Sequence, residues 1–470
     1  MCAEPSYYLL NKNIALRSWR LVPYAYYTWR KRDAAGLKQE EYELLVKCDG
    51  RHALPESKLL DSLAERGLIN VCEPGEELTE WQKPRFCDNR YFPAVNWMIT
   101  GKCNYNCLHC FNAVDNSHLQ SSFTWEEAKR FIEEAAACGI NEFTITGGEP
   151  MAHPHFLDII REIYRKGMYV GQLNTNGAFI DQAVLDELKA IGCEPVMKIS
   201  FDGIGYHDWL RNKKGAEKEA LHAMELCIRN GFTVMSQTNV HRLNVHTMLP
   251  TAKLLNDMGV AVMRVIRTTE SPRWQENAEG VCLELGEYYD AMLSFLAEYV
   301  KTDCRMKVFT WQFADVYPQQ QLYRLRPVAY SQKSYRDSRP VCASNRGMAA
   351  VTAEGELLPC NQMSGYYARH NDRLGNVKED GLRKHLQEGR YLCEVCTTLG
   401  ELKAHNRECA SCPVFSYCGG GCRVIATAYT GDKLGKDPAK CLYFKGGYVE
   451  KTARALEGYR CMQEDIPLSI

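Results

Sequence analysis

Residues 93–110 read PAVNWMITGKCNYNCLHC. An apolar, strand-like run breaks at Gly101 and empties into a loop with three cysteines, Cys103, Cys107 and Cys110, inside eight residues. The gaps are three residues and then two, with no fourth cysteine nearby. Structural zinc normally takes four protein ligands in paired CxxC units. Three thiolates in one loop suit instead a cubane [4Fe–4S] cluster whose open iron binds a small molecule. His109, between two cysteines on a tight loop, reads as a packing or hydrogen-bonding residue.

Outward from this loop the chain alternates strand with helix. Strand candidates follow at EFTIT, MYVGQLN, PVMKISF, TVMSQTNV and AVMRVIR. Between them lie amphipathic helices such as TWEEAKRFIEEAAACG, with Thr124 and Glu127 forming a capping box and Gly139 ending it. HFLDIIREIYRKG, DQAVLDELKAIG, AEKEALHAMELCIRNG and TMLPTAKLLNDMG repeat the pattern. Six such repeats across 93–303 predict an α/β fold, a partial (β/α)6 TIM-like barrel of parallel strands. Chemistry in such folds sits at the C-terminal strand ends. Those ends carry TITGGEPM (Gly147, Gly148, Glu149, Pro150), NTNG (Asn174, Asn176), ISFDG (Ser200, Asp202) and QTNV (Asn239). The two glycines let backbone approach a ligand closely, and Glu149 supplies a carboxylate. Each element alone is an ordinary turn; four in register at one end of a sheet point to a site.

The totals limit the function classes. At 470 residues the chain is expected to hold two or three domains. With 57 Lys+Arg against 58 Asp+Glu there is no basic field to attract nucleic acid. No apolar run approaches the ~18 residues of a membrane span, and the opening MCAEPSYYLLNKN lacks a secretory layout, so a cytoplasmic protein is expected. Cysteine is the outlier, at 22 residues. A reducing compartment favours metal ligation over disulfides, while Cys138, Cys193 and Cys227 fall on apolar helix positions and read as buried, inert thiols.

Residues 1–85 read as a separate unit. Strand runs YYLLNKN and YAYYTWRK precede a helix QEEYELLVKCDG closed by Gly50. A second helix PESKLLDSLAERGLI has Pro55 early and Gly67 at its stop. The layout predicts a winged-helix-like module, followed by a linker at EPGEELTEWQKPRF. WRKRD (Trp29 to Asp33) is a short basic cluster, read as a solvated turn; the near-balanced second helix argues against DNA. After 304 the regularity fails, and residues 304–335 read as a bridge. From 336 to 460 cysteines dominate: Cys342, Cys360 after Gly355, then CASCPVFSYCGGGC with Cys409, Cys412, Cys418 and Cys422, and finally Cys441. Zinc ribbons are one reading, but the uneven gaps fit zinc poorly. Cys393 and Cys396 in CEVC lie outside the pattern, as packing thiols or a redox pair.

The Cys-x3-Cys-x2-Cys loop resembles the signature of the radical S-adenosylmethionine (radical SAM) superfamily. The resemblance implies that Cys103, Cys107 and Cys110 hold a cluster whose open iron chelates S-adenosylmethionine. Electron transfer then yields a 5′-deoxyadenosyl radical. It further implies that the GGEP element, Gly147 to Pro150, holds the methionine amino group, and that Ser200 and Asp202 are suited to ribose hydroxyls. The later cysteines resemble the SPASM domain of peptide and protein maturases. By that resemblance Cys409, Cys412, Cys418 and Cys441 ligate an outer auxiliary cluster, and Cys342, Cys360 and Cys422 an inner one, three [4Fe–4S] clusters in all. Sulfatase maturases add a cysteine before the first; SYRDSRPVC has none, leaving an open iron or recruitment of Cys304 or Cys282. They also place an acidic base after the second auxiliary cysteine, where this chain has Asn361, and a neutral amide cannot accept the proton.

The N-terminal unit resembles the recognition element of ribosomal-peptide maturases, which adds a leader peptide as an extra strand. The whole implies a peptide maturase acting on a small ribosomal precursor peptide. A low-potential donor such as flavodoxin or ferredoxin would reduce it, with neither nucleic acid nor membrane as partner. Thioether or another side-chain crosslink is the expected product. Formylglycine formation and epimerisation are the alternatives within enzymes, and an iron–sulfur carrier or regulator is the alternative outside them.

Overall fold

The computed structural model describes residues 5–31, 34–111, 121–268, 271–277, 279–342, 347–463 and 466. Seven parallel strands form its centre: β1 Ala94–Met98, β2 Glu142–Thr146, β3 Tyr169–Thr175, β4 Val196–Ser200, β5 Val234–Val240, β6 Val262–Arg267 and β7 Lys307–Thr310, hydrogen-bonded in that order. The first six coincide with the expected runs; β7 lies beyond them. Helices Trp125–Ala137, Phe156–Arg165, Gln182–Ile191, Ala216–Arg229, Met248–Asp257 and Leu285–Tyr299 cover the outside. Their ends follow from local chemistry. Thr124 and Glu127 form the expected capping box, and Gly192 ends the third helix in the left-handed conformation.

Val95, Trp97, Phe143, Ile145, Met197, Ile199, Met263 and Val265 share one buried core with helix residues such as Phe131, Ile132 and Ile159. Burying each contributes roughly 1.5–3 kcal/mol, which pins the register of the sheet. The alternate residues, among them Asn96, Thr144, Asn174, Lys198, Gln237 and Arg264, therefore face the concave side.

The sheet curls without closing. Past β7 it continues through antiparallel Ala314–Tyr317 and Leu322–Leu325 to Arg460–Cys461. Past β1 it continues through Met348–Val351, parallel to β1, and Leu357–Leu358. The region after 304, read from sequence as irregular, supplies both flanks of the main sheet. Strands of two to four residues are too short to display a period.

Residues 6–86 form two smaller sheets and two helices. Ser6–Leu10 lies between Asp49–Leu54 and Ile69–Cys72, and Ile14–Trp19 lies between Val22–Thr28 and Arg85–Phe86. Three expectations change here. Gly50 does not close the helix Gln39–Val46, whose cap is Lys47; at φ +75° it sits in the next strand, where a Cβ would strike the Glu76 carbonyl. The helix Lys58–Glu65 is capped by Ser57 and not begun by Pro55. Residues 73–86 are no free linker, because Trp81 is buried against Tyr27, Trp29 and the barrel residue Tyr169. In the basic cluster, Trp29 packs on Tyr169 and Arg30 pairs with Glu194 at 3.1 Å, so this turn docks on the barrel. Arg32 and Asp33 lie outside the described residues. Among the described residues no helix is long and apolar enough to cross a membrane.

Candidate active site at the barrel mouth

β1 ends at Met98, and the turn through Gly101 delivers the loop of Cys103, Cys107 and Cys110 to the C-terminal mouth of the sheet. Neighbouring strand ends grip this loop. Gly148 N donates to Thr100 O and Glu149 N to Lys102 O, each at 2.8 Å. The approach is so close that a Cβ on Gly147 would lie 2.4 Å from Thr100 O, and one on Gly148 2.4 Å from the Gly101 and Lys102 oxygens. At both positions the absence of a side chain admits the root of the cysteine loop. From the third strand end, Asn176 Nδ2 donates to Asn104 Oδ1 at 2.7 Å. From beyond the fourth, Arg211 Nη1 reaches Cys107 Sγ at 3.9 Å.

Glu149 is fully buried. Its Oε1 accepts from Thr175 Oγ1 (2.9 Å) and Met151 N (3.3 Å), and its Oε2 from Asn176 N (2.8 Å). Burial pushes its carboxyl up to about 7 against the pull of these bonds. Both carboxylate oxygens are thus engaged by neighbouring backbone and side-chain donors. Pro150 opens the short turn Pro150–Ala152. Asn174 lies on the concave face, its Oδ1 accepting from Gln172 Nε2 at 2.6 Å, and half-buried Ser200 ends β4 on that face.

Asp202 departs from its expected role. It is wholly buried, with Arg211 Nε 2.6 Å from Oδ2, Arg211 Nη2 3.1 Å from Oδ1, and Asn239 N and Nδ2 each 2.9 Å from Oδ1. Burial opposes its charge, yet Arg211 and then His207 hold the carboxyl well below the usual range. It has no open acceptor for a ribose; it locks the ends of β4 and β5 together, and Asn239 is its partner. Sequence gave no sign of Arg211, nine residues on in an unremarkable LRNKK, nor of Asn244, whose Nδ2 donates to the Asp202 and Asn239 carbonyls. Asn104, inside the cysteine loop, was findable by position. His109 is pushed down to about 3 by burial and then by Arg211; its neutral ring stands edge-on to Trp274 at 6.5 Å.

The C-terminal cysteines gather in two places. Cys360 and Cys422 lie within electrostatic reach of Cys342 and of each other. Cys409 lies within reach of Cys412 and Cys418, and Cys441 within reach of Cys409, Cys412 and Cys418. Gly419, Gly420 and Gly421 carry the chain from Cys418 to Cys422 with φ of +61°, +75° and +85°, a left-handed run open only to glycine. Asp437 Oδ2 accepts from Cys422 N at 2.7 Å and fixes its end. Cys304 is corrected as a further ligand: it is packed beside Tyr299 just before β7 begins, at the end of the barrel away from the mouth. Cys282 lies 3.8 Å from Arg267 Nη2. Cys393 is exposed, and Cys396 takes Arg90 Nη1 at 3.5 Å.

Two kinds of thiol are present. Cys138, Cys193 and Cys227 are sealed in the core. Cys103, Cys107, Cys342, Cys360, Cys418 and Cys422 keep accessible surface, although burial pushes Cys103 and Cys422 up to about 12 and Cys418 to about 11. Among the described residues no three His, Cys, Asp or Glu side chains converge on a single metal ion. Coordination to an iron–sulfur cluster would deprotonate thiols that burial otherwise keeps neutral.

Residues 97–255 match the family described as the Radical SAM superfamily. The chain is 26% identical over 361 residues to an AdoMet-dependent heme synthase of Methanosarcina barkeri, covering 75% of this chain and 97% of that protein. It is 22% identical over 367 residues to a PqqA peptide cyclase of Gluconobacter oxydans, covering 76% and 92%. Among solved structures, Streptococcus suis SuiB bound to the precursor peptide SuiA superposes with a TM-score of 0.66 at 12% identity, over 92% of this chain and 99% of that one. SuiB has also been solved bound to S-adenosylmethionine. Residues 97–255 thus form a radical SAM domain on an open parallel barrel, and the chain is an enzyme.

Proposed function

We propose that the chain is a radical SAM peptide maturase. Residues 1–85 recognise a precursor peptide, 93–303 form the radical barrel, 304–335 bridge, and 336–460 form a SPASM domain. Three [4Fe–4S] clusters would be held by Cys103, Cys107 and Cys110, by Cys409, Cys412, Cys418 and Cys441, and by Cys342, Cys360 and Cys422. The first, with S-adenosylmethionine, would supply a 5′-deoxyadenosyl radical that takes hydrogen from the peptide. The chain's own part is placement. Gly147 and Gly148 seat the cysteine loop, Glu149 and Asn176 bind strand ends to it, and Arg211 sets a fixed cation beside Cys107. A thioether or other crosslink is the favoured product, and a cytoplasmic flavodoxin or ferredoxin the favoured donor.

The observation that carries the peptide reading is the two-sheet unit of residues 6–86 docked on the barrel through Trp29 and Trp81. The likeness to SuiB leaves under a tenth of the chain unmatched, fewer residues than that unit holds. Reconstituted protein given S-adenosylmethionine and a reductant should release 5′-deoxyadenosine. A short peptide encoded beside the gene should then change mass. A second reading, a tetrapyrrole substrate, is favoured by the similarity to the heme synthase. Turnover of a porphyrin with no change in any neighbouring peptide would establish it in place of the first.

A further inference from the structure

On the concave wall of the barrel, Arg264 has no ion-pair partner among the described residues. Arg264 lies between Met263 and Val265, both sealed in the helix-facing core, so its side chain points the other way. Register places Gln237 of β5 and Phe309 of β7 beside it, and Asp315 opposite Phe309. Its charged and titratable neighbours are Arg326, Asp315, Cys360 and Tyr288. Asp315 is itself engaged by Arg326 at 3.3 Å, and none of these groups forms an ion pair or hydrogen bond with the Arg264 guanidinium. Burial is the first cause lowering its pKa, yet the side chain keeps accessible surface, the combination expected of a group lining an enclosed space.

Among the described residues the same wall carries buried acceptors that lack donors, Asn96 Oδ1 on β1, Gln237 Oε1 and Asp315 Oδ1, and Asn361 Oδ1, next to Cys360 in sequence, lacks one too. Buried polar atoms are nearly always paired, and a desolvated charge without a partner is costly. Several such groups around one chamber mark a place where an outside molecule completes the bonding. The orphan oxygens match the N–H groups of an extended peptide. The planar fork of a guanidinium matches a carboxylate.

We propose that Arg264 binds a carboxylate of the substrate inside the barrel and makes an acidic group near the reacting position a condition of binding. This rests on the reading of the barrel interior as the substrate chamber. The carboxylate comes from an acidic side chain or from a chain terminus, and the probes separate the two. Calorimetry on the reconstituted holoenzyme with S-adenosylmethionine would compare acetyl-Ala-Glu-Ala-amide, acetyl-Ala-Gln-Ala-amide and acetyl-Ala-Gln-Ala with a free C-terminus. At least one acid should bind about tenfold more tightly than the uncharged probe. Arg264→Gln should erase that preference, while Arg264→Lys, keeping charge without the fork, should retain part of it. Equal binding of all three probes by the native protein, or a preference that survives Arg264→Gln, overturns the assignment. The native comparison stands even if a variant fails to fold. Release of 5′-deoxyadenosine is scored separately: its absence alongside intact carboxylate preference would remove the radical reading and leave the Arg264 site standing.

Discussion

Arg211 holds Asp202 with two nitrogens and reaches the Cys107 sulfur with the third. Arg211→Met should therefore cost about 3–5 kcal/mol of stability, because it strands a buried carboxylate. Differential scanning calorimetry would show the drop, and iron content should fall with it. The two buried acids at the mouth have opposite pH signatures. Asp202 is depressed, so its contribution is present above its unfolded value and lost as pH falls through the folded one. Glu149 is raised to about 7, so its contribution is complete below its unfolded value and lost as pH rises through 7. Urea unfolding at pH 5 and pH 8 checks this. The stability gap between native protein and Glu149→Gln should narrow at the higher pH, by about 3 kcal/mol at most; a gap that widens would contradict the burial argument. None of these partnerships is visible in sequence. Asp202 and Glu149 stand at strand ends where ligand-binding acids are expected, and only the fold shows that their oxygens are taken by neighbours.

At the scale of elements, β1 to β6 were legible because each is a β-rich apolar run, and the helices before β2 to β6 stop at glycines. Ile14–Trp19 was not, because Arg17 interrupts it. That residue is nonetheless fully buried, its guanidinium satisfied by Asn141 Oδ1 at 2.7 Å and by the carbonyls of Leu16, Trp81 and Lys83. A charge in the middle of a strand reads as exposed until its acceptors, which are distant in sequence, are known. The cysteine loop was legible in spacing, while its dependence on the next strand end was not. Gly148→Ala would push a methyl into two backbone oxygens that cannot swing aside. The expected result is loss of 5′-deoxyadenosine release with secondary structure retained by circular dichroism. Gly421→Ala, whose Cβ would meet Asp437 at 2.4 Å, should lower iron content while 5′-deoxyadenosine release persists.

For the molecule as a whole, the docking of the N-terminal unit rests on the aromatic stack of Trp29, Trp81 and Tyr169. Trp81→Ala should cost about 3–5 kcal/mol and suppress peptide modification before it suppresses 5′-deoxyadenosine release; equal loss of both would argue against a recognition role. Iron analysis of fully reconstituted protein should find about twelve irons per chain if all three thiol groups carry four-iron clusters. The parallel pairing of Met348–Val351 with β1 has a further bearing, on how the protein is made. The flank of β1 stays bare on the ribosome until some 250 further residues have been synthesised. At roughly 5–20 residues per second that is tens of seconds during which an apolar strand offers its unpaired amides to any passing chain. Nascent copies are thus most prone to stick to one another late in translation, and chaperone demand should peak then.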